Sequence, residues 1–123
     1  MQDRTVKDYA MSNLKDRNRI IVAWWLRRFK LEEKRDEFSN ALSEVLSDIP
    51  LSPANSDEAN FYNDYDPFGS LLKAVRMCGI ECRGFFFSGE DMFPNKTGIL
   101  IRPSGEVQAK EGYGEKWITL WSP

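Results

Sequence analysis

From Leu14 to Ile49 the apolar residues recur at helical spacing, and neither glycine nor proline interrupts the first 49 residues. At about 100° per residue, Leu14, Ile21, Trp25 and Phe29 fall on one stripe. Trp24, Leu31, Phe38, Leu42, Val45 and Ile49 form a second stripe, displaced by more than a quarter turn. One long helix that meets different neighbours along its length accounts for both. So do two helices with a break near Lys30. Because Lys30 is neither Gly nor Pro, the pattern favours a continuous or gently kinked helix.

Pro50, Pro53 and the polar run Ala54–Asn60 then predict a surface loop. A second helix is announced by Asp66 as N-cap, Pro67 at the first helical position and Gly79 as a left-handed stop. Phe68, Leu71, Leu72, Val75 and Cys78 share one of its faces, so it docks on a core. After Gly79 the period changes to two. Ile80–Phe87 reads as a strand and Ser88–Gly98 as a turn-rich loop. Ile99–Arg102 and Glu106–Lys110 flank the hairpin signature Pro103-Ser104-Gly105, and Gly112-Tyr113-Gly114 makes a turn before Trp117–Trp121. The expectation is an α+β fold: a long N-terminal helical segment, and a second helix packed on a three- or four-stranded antiparallel sheet. We read one domain over residues 1–123. It divides into a helical region (residues 1–49), an acidic loop (residues 50–65) and a helix-plus-sheet region (residues 66–123).

With 123 residues, 41% of them apolar, the chain is long enough to bury a core without disulfides or metal. The longest apolar run, Ile20–Leu26, is fenced by Arg19, Arg27 and Arg28 and is far short of the roughly 20 residues that span a bilayer. Nothing in Met1-Gln2-Asp3-Arg4 reads as a signal peptide. With two cysteines and no export signal, the expected location is the cytoplasm, with free thiols and no membrane association.

Candidate chemistry is sparse. There is no histidine, hence no common general base and no usual metal ligand. Cys78 and Cys82 cannot complete a zinc site alone and read as buried apolar thiols. Asp64-Tyr65-Asp66-Pro67-Phe68-Gly69 begins like a calcium loop, but Pro67 and Phe68 fill positions that need free backbone or oxygen, and the twelfth position is Val75. Gly112-Tyr113-Gly114 lacks the Gly-Lys-Ser/Thr continuation of a phosphate loop. Ser39, Ser43 and Ser47 have no base partner at nucleophile spacing. The expectation is a protein without catalytic activity, cofactor or metal. A carboxylate enzyme assembled from distant positions would leave no signature.

Charge separates the binding readings. Residues 48–66 carry Asp48, Asp57, Glu58, Asp64 and Asp66 without one Lys or Arg, and three aromatics, Phe61, Tyr62 and Tyr65, lie among them. Carboxylates beside tyrosines suit a basic protein surface. The first expectation is therefore a binding or inhibitor-type protein that occupies a protein partner through Asp57, Glu58, Tyr62, Asp64 and Tyr65. The alternative is nucleic-acid binding. It would use the basic stretch Lys15–Arg35, with Arg19, Arg27, Arg28 and Lys30, or an aromatic sheet face made of Phe85, Phe87, Trp117 and Trp121. On a helix those cations spread around the circumference instead of lining one stripe, as duplex binding would want.

Overall fold

The structure is a computed structural model that describes residues 2–54, 59–80, 89–114 and 116–123, as backbone alone at 2–10, 89 and 90. Helix α1 spans Gln2–Leu26 and α2 spans Arg35–Ser47, with a 3-10 turn at Glu32–Lys34 between them. The expected continuous helix is thus two helices, and the reason lies in side chains rather than in Gly or Pro. The Arg28 N–H donates to Trp25 O in a tightened last turn, and the Lys30 N–H leaves the helix for Met92 O at 2.9 Å. Two guanidinium groups take the orphaned carbonyls: Arg28 Nη1 donates to Trp24 O and Arg35 Nη1 to Leu26 O, both at 2.7 Å. The reversal stacks Phe29 on Phe38 at 4.4 Å between ring centroids. The two displaced stripes face each other, and burying both outweighs one more turn of helix.

α2 buries Phe38, Ala41, Leu42, Val45 and Leu46. At its end stands Arg17 of α1, fully buried. Its guanidinium donates to Leu46 O at 3.2 Å, Ile49 O at 2.8 Å and Pro50 O at 2.7 Å, and its Nε donates to Asn18 Oδ1 at 2.9 Å. Contacts of α1 residue 17 with the end of α2, and of Phe29 with its start, make the pair an antiparallel hairpin. Among the described residues no carboxylate pairs with Arg17. Burial pulls its pKa down to about 10, so it stays charged at neutral pH.

Strands β1 Asn60–Asp64, β2 Asp66–Phe68, β3 Thr97–Ile101, β4 Val107–Lys110 and β5 Ile118–Trp121 form one antiparallel sheet in the order β2-β1-β3-β4-β5. The fold is α+β as expected, with five strands instead of three or four. The β3–β4 hairpin turns at Pro103-Ser104-Gly105, with Gly105 at φ 91°. Two local expectations are corrected. The segment 50–65 is not loop throughout, because β1 occupies its end and lies inside the sheet. Asp66 caps no helix: it pairs with Asp64 in β2, and α3 begins later, spanning Gly69–Met77 after an extended Phe68 without a side-chain cap. Asp-Pro suits an edge strand as well as a helix start, and pairing with β1 decides between them.

The strand expected at Ile80–Phe87 lies outside the described residues beyond Ile80, as does Cys82. α3 does end where Gly79 is expected to stop it, at φ 73° with its N–H on Arg76 O. A short helix, α4 Gly89–Met92, precedes β3. Phe61, Ile99, Ile101, Val107 and Ala109 pack with the buried residues of α1, α2 and α3, so the helices occupy one face of the sheet. Among the described residues no helix is long and apolar enough to cross a membrane.

Cys78 is buried, and its thiol donates to Ala74 O at 3.2 Å. Burial first, then Glu37, pushes its pKa up to about 11, against a smaller opposing effect of Lys34.

Both buried polar groups can be tested by substitution or labelling. Arg17→Met keeps most of the side-chain volume and removes every donor to the end of α2. It should lower the unfolding free energy by about 3 kcal/mol, read from the urea midpoint at unchanged slope; a wild-type midpoint would remove Arg17 from the forces holding the hairpin. Native Cys78 should react with iodoacetamide roughly a hundredfold more slowly than in the urea-unfolded chain. Mass spectrometry of the Cys78 peptide measures this, and equal rates would contradict a buried, protonated thiol.

Candidate partner-binding surface

Alternation along β1 sends Phe61 and Asn63 into the core and Tyr62 and Asp64 to the helix-free face. Tyr62 lies opposite Gly98 of β3 and Phe68 of β2. A Cβ on Gly98 would stand 2.4 Å from the Tyr62 ring and 2.8 Å from Phe61 O, so only glycine allows the tyrosine to lie down on the sheet.

Beyond Tyr62 the chain turns sharply. Asp64 and Asp66 are directly paired, leaving Tyr65 alone at the apex at φ 63°. Its N–H donates to Asn95 Oδ1 at 3.0 Å. Next to Asn95, Lys96 also has a left-handed backbone, at φ 56°. Among the described residues these are the two non-glycine positions of positive φ, and both are in this corner. An aromatic residue there is unusual, since the Cβ meets the backbone.

Lys96 Nζ is 2.6 Å from Asp64 Oδ2 and 5.4 Å from the ring centroid of Tyr113. The ammonium is held above its ordinary range, chiefly by its hydrogen bond to Asp64. The other carboxylate oxygen, Asp64 Oδ1, is buried and has no hydrogen-bond partner among the described residues. The corner therefore sets the Lys96–Asp64 ion pair beside exposed rings: Tyr65 (55% exposed), Phe68 (47%) and Tyr113 (69%).

Of the residues expected to bind a partner, Tyr62, Asp64 and Tyr65 come together here, while Asp57 and Glu58 lie outside the described residues. The segment 48–66 has no cation of its own, but the fold supplies Lys96 to Asp64 from 32 residues away. Sequence reasoning missed Lys96, Asn95, Phe68 and Tyr113 as site residues. The β1–β2 and β1–β3 registers and the path of the chain after β4 unite them, and no local spacing reports it.

The cations of the alternative reading disperse. Arg19 is exposed and 3.5 Å from Asp16, and Arg27 is exposed. Arg28 is paired with Glu111 and stacks on Trp24 at 3.7 Å. Lys30 is exposed, with its backbone tied to Met92. Of the aromatic platform only the β5 half is described. Trp121 pairs with Val107 and packs half-buried against the core, Trp117 precedes β5, and Phe85 and Phe87 lie outside the described residues. Among the described residues no cluster of three Cys, Asp or Glu is placed to hold a metal ion.

No protein-family model, curated protein or solved structure matches this chain.

Replacing Tyr65 with Gly tests the apex. Relief of the left-handed Cβ, about 1–2 kcal/mol, is partly offset by the greater entropy loss of glycine, about 0.5–1 kcal/mol. The thermal midpoint of Tyr65→Gly should therefore stay level or rise by a few degrees. A fall would mean that contacts of the ring stabilise the fold more than its backbone strains it.

Proposed function

We propose that the protein is a binding or inhibitor-type module that occupies a surface of another protein with the corner formed by Tyr62, Asp64, Tyr65, Phe68, Lys96 and Tyr113. The observation that carries this reading is the strained apex, where Tyr65 holds a left-handed backbone and remains more than half exposed. Strain persists where surrounding structure imposes it, and such positions cluster at functional sites. Tyrosines give large contact area at low entropic cost, and the rings here stand beside the Lys96–Asp64 ion pair. Lys or Arg side chains of the partner are the matching groups for these exposed rings, through cation–π contact.

Binding is the reading because the corner presents exposed rings beside an ion pair, and among the described residues no group of Cys, Asp or Glu is placed there to hold a metal ion. Nucleic-acid binding through α1 draws less support: Arg17 serves the end of α2 and Arg28 is neutralised by Glu111, so the basic stretch has no continuous stripe.

The test is affinity capture of the partner with wild type and with Tyr65→Gly combined with Tyr113→Ala, repeated after nuclease treatment. The double variant should fold normally and retain less than about a tenth of the captured partner. Capture should survive nuclease and weaken as salt rises. Undiminished capture by the double variant would overturn the proposal, and capture abolished by nuclease would favour nucleic acid.

A further inference from the structure

The two edges of the sheet are built differently. β2 has three residues, of which Asp66 is charged and Pro67 has no N–H to offer, so this edge is closed to further pairing. β5 carries Ile118, Thr119, Leu120 and Trp121 with neither charge nor proline, and Ile118 is 59% exposed. Among the described residues no strand pairs with its outer side.

Beside β5 a cleft of about 420 Å³ separates the end of α1 from the end of the sheet. It is lined by Trp24, Pro94, Asn95, Ala109 and Ile118, and by Lys110, Glu111 and Lys116. Glu111 is paired with Arg28, which stacks on Trp24 and donates to its carbonyl. Among the described residues neither Lys110 nor Lys116 forms an ion pair. Lys110 alternates with Ala109 along β4 and so projects from the opposite face. Two cations without an ion-pair partner among the described residues thus flank the apolar cleft, next to a strand edge that no described strand occupies.

We propose that β5 accepts an extended segment of a partner protein in which apolar and acidic residues alternate. The added strand pairs its backbone with β5, and its alternate side chains project to opposite faces. The apolar set enters the cleft between Trp24 and Ile118. The carboxylates meet Lys110 and Lys116. This surface adjoins the Tyr65 corner, since Asn95 lines the cleft as well as accepting the Tyr65 N–H. Its occupant is recognised by β5 and the two lysines, so its occupation does not depend on the partner proposed there.

The experiment titrates the full isotope-labelled chain with a short peptide alternating valine and glutamate, and with its lysine-for-glutamate counterpart, while amide exchange is followed residue by residue. The acidic peptide should bind and slow exchange at β5 amides by about tenfold or more at saturation, and the basic peptide should not. Lys110→Glu with Lys116→Glu should weaken acidic-peptide binding by about tenfold or more with an otherwise unchanged amide spectrum. Ile118→Glu should weaken it without touching the lysines. Equal binding of the two peptides, or no binding of the acidic one up to about 1 mM, overturns the proposal. Binding without slowed exchange in β5 overturns the strand pairing. Concentration-dependent protection of β5 without peptide assigns the edge to a second copy of this chain and overturns it as well.

Discussion

A buried guanidinium without a carboxylate partner stays charged only where carbonyl dipoles converge, and the last turn of α2 is such a place. The final carbonyls of a helix have no intrahelical donor and carry the negative end of its macrodipole. Arg17 reaches them from α1, bonding Leu46 O, Ile49 O and Pro50 O. Neither side is satisfied without the other: α2 would end on orphaned carbonyls, and Arg17 would be a bare buried cation. The contact therefore sets the register of the hairpin as well as stabilising it.

That register determines what lies between the helices and the sheet. With α1 and α2 antiparallel, Phe29 stacks on Phe38, and Phe93 packs against both and edge-on against Trp25. Phe93 follows α4 and immediately precedes the turn into β3, so the cluster anchors the chain where Asn95 and Lys96 must be presented. Met92, next to it, accepts the Lys30 N–H released by the end of α1. The helix break, the aromatic cluster and the corner that holds Tyr65 are connected through one short segment.

Among the described residues the helices lie on one face of the sheet, and side chains alone cover the other. There the fold places opposite charges from distant positions together, as with Asp64 and Lys96, and it also neutralises Glu111 with Arg28. Pairing of this kind redraws the charge pattern seen along the chain. The acidic segment loses part of its negative field to Lys96, whereas Lys110 and Lys116, inconspicuous along the chain, come to flank one cleft.

Elements with local signals were legible in the residues themselves. Gly79 ends α3 because a left-handed residue after the last turn costs glycine least. Pro103-Ser104-Gly105 makes the β3–β4 turn for a related reason, and the apolar spacing of Phe38, Leu42 and Val45 yields an amphipathic helix wherever a core exists. Whatever depends on pairing between distant segments was settled by the folded chain. Asp66-Pro67 could open a helix or form an edge strand, and only the backbone of β1 chose between them. The helix break near Lys30 needed Arg35 and Met92 as partners, so no residue at the break itself announced it. The candidate corner was half legible: Tyr62, Asp64 and Tyr65 stood out by composition. Asn95, Lys96 and Tyr113 join them through strand register, and register is chosen by the burial of Phe61, Asn63 and Ile99 together, a cooperative quantity that no single stretch of sequence contains.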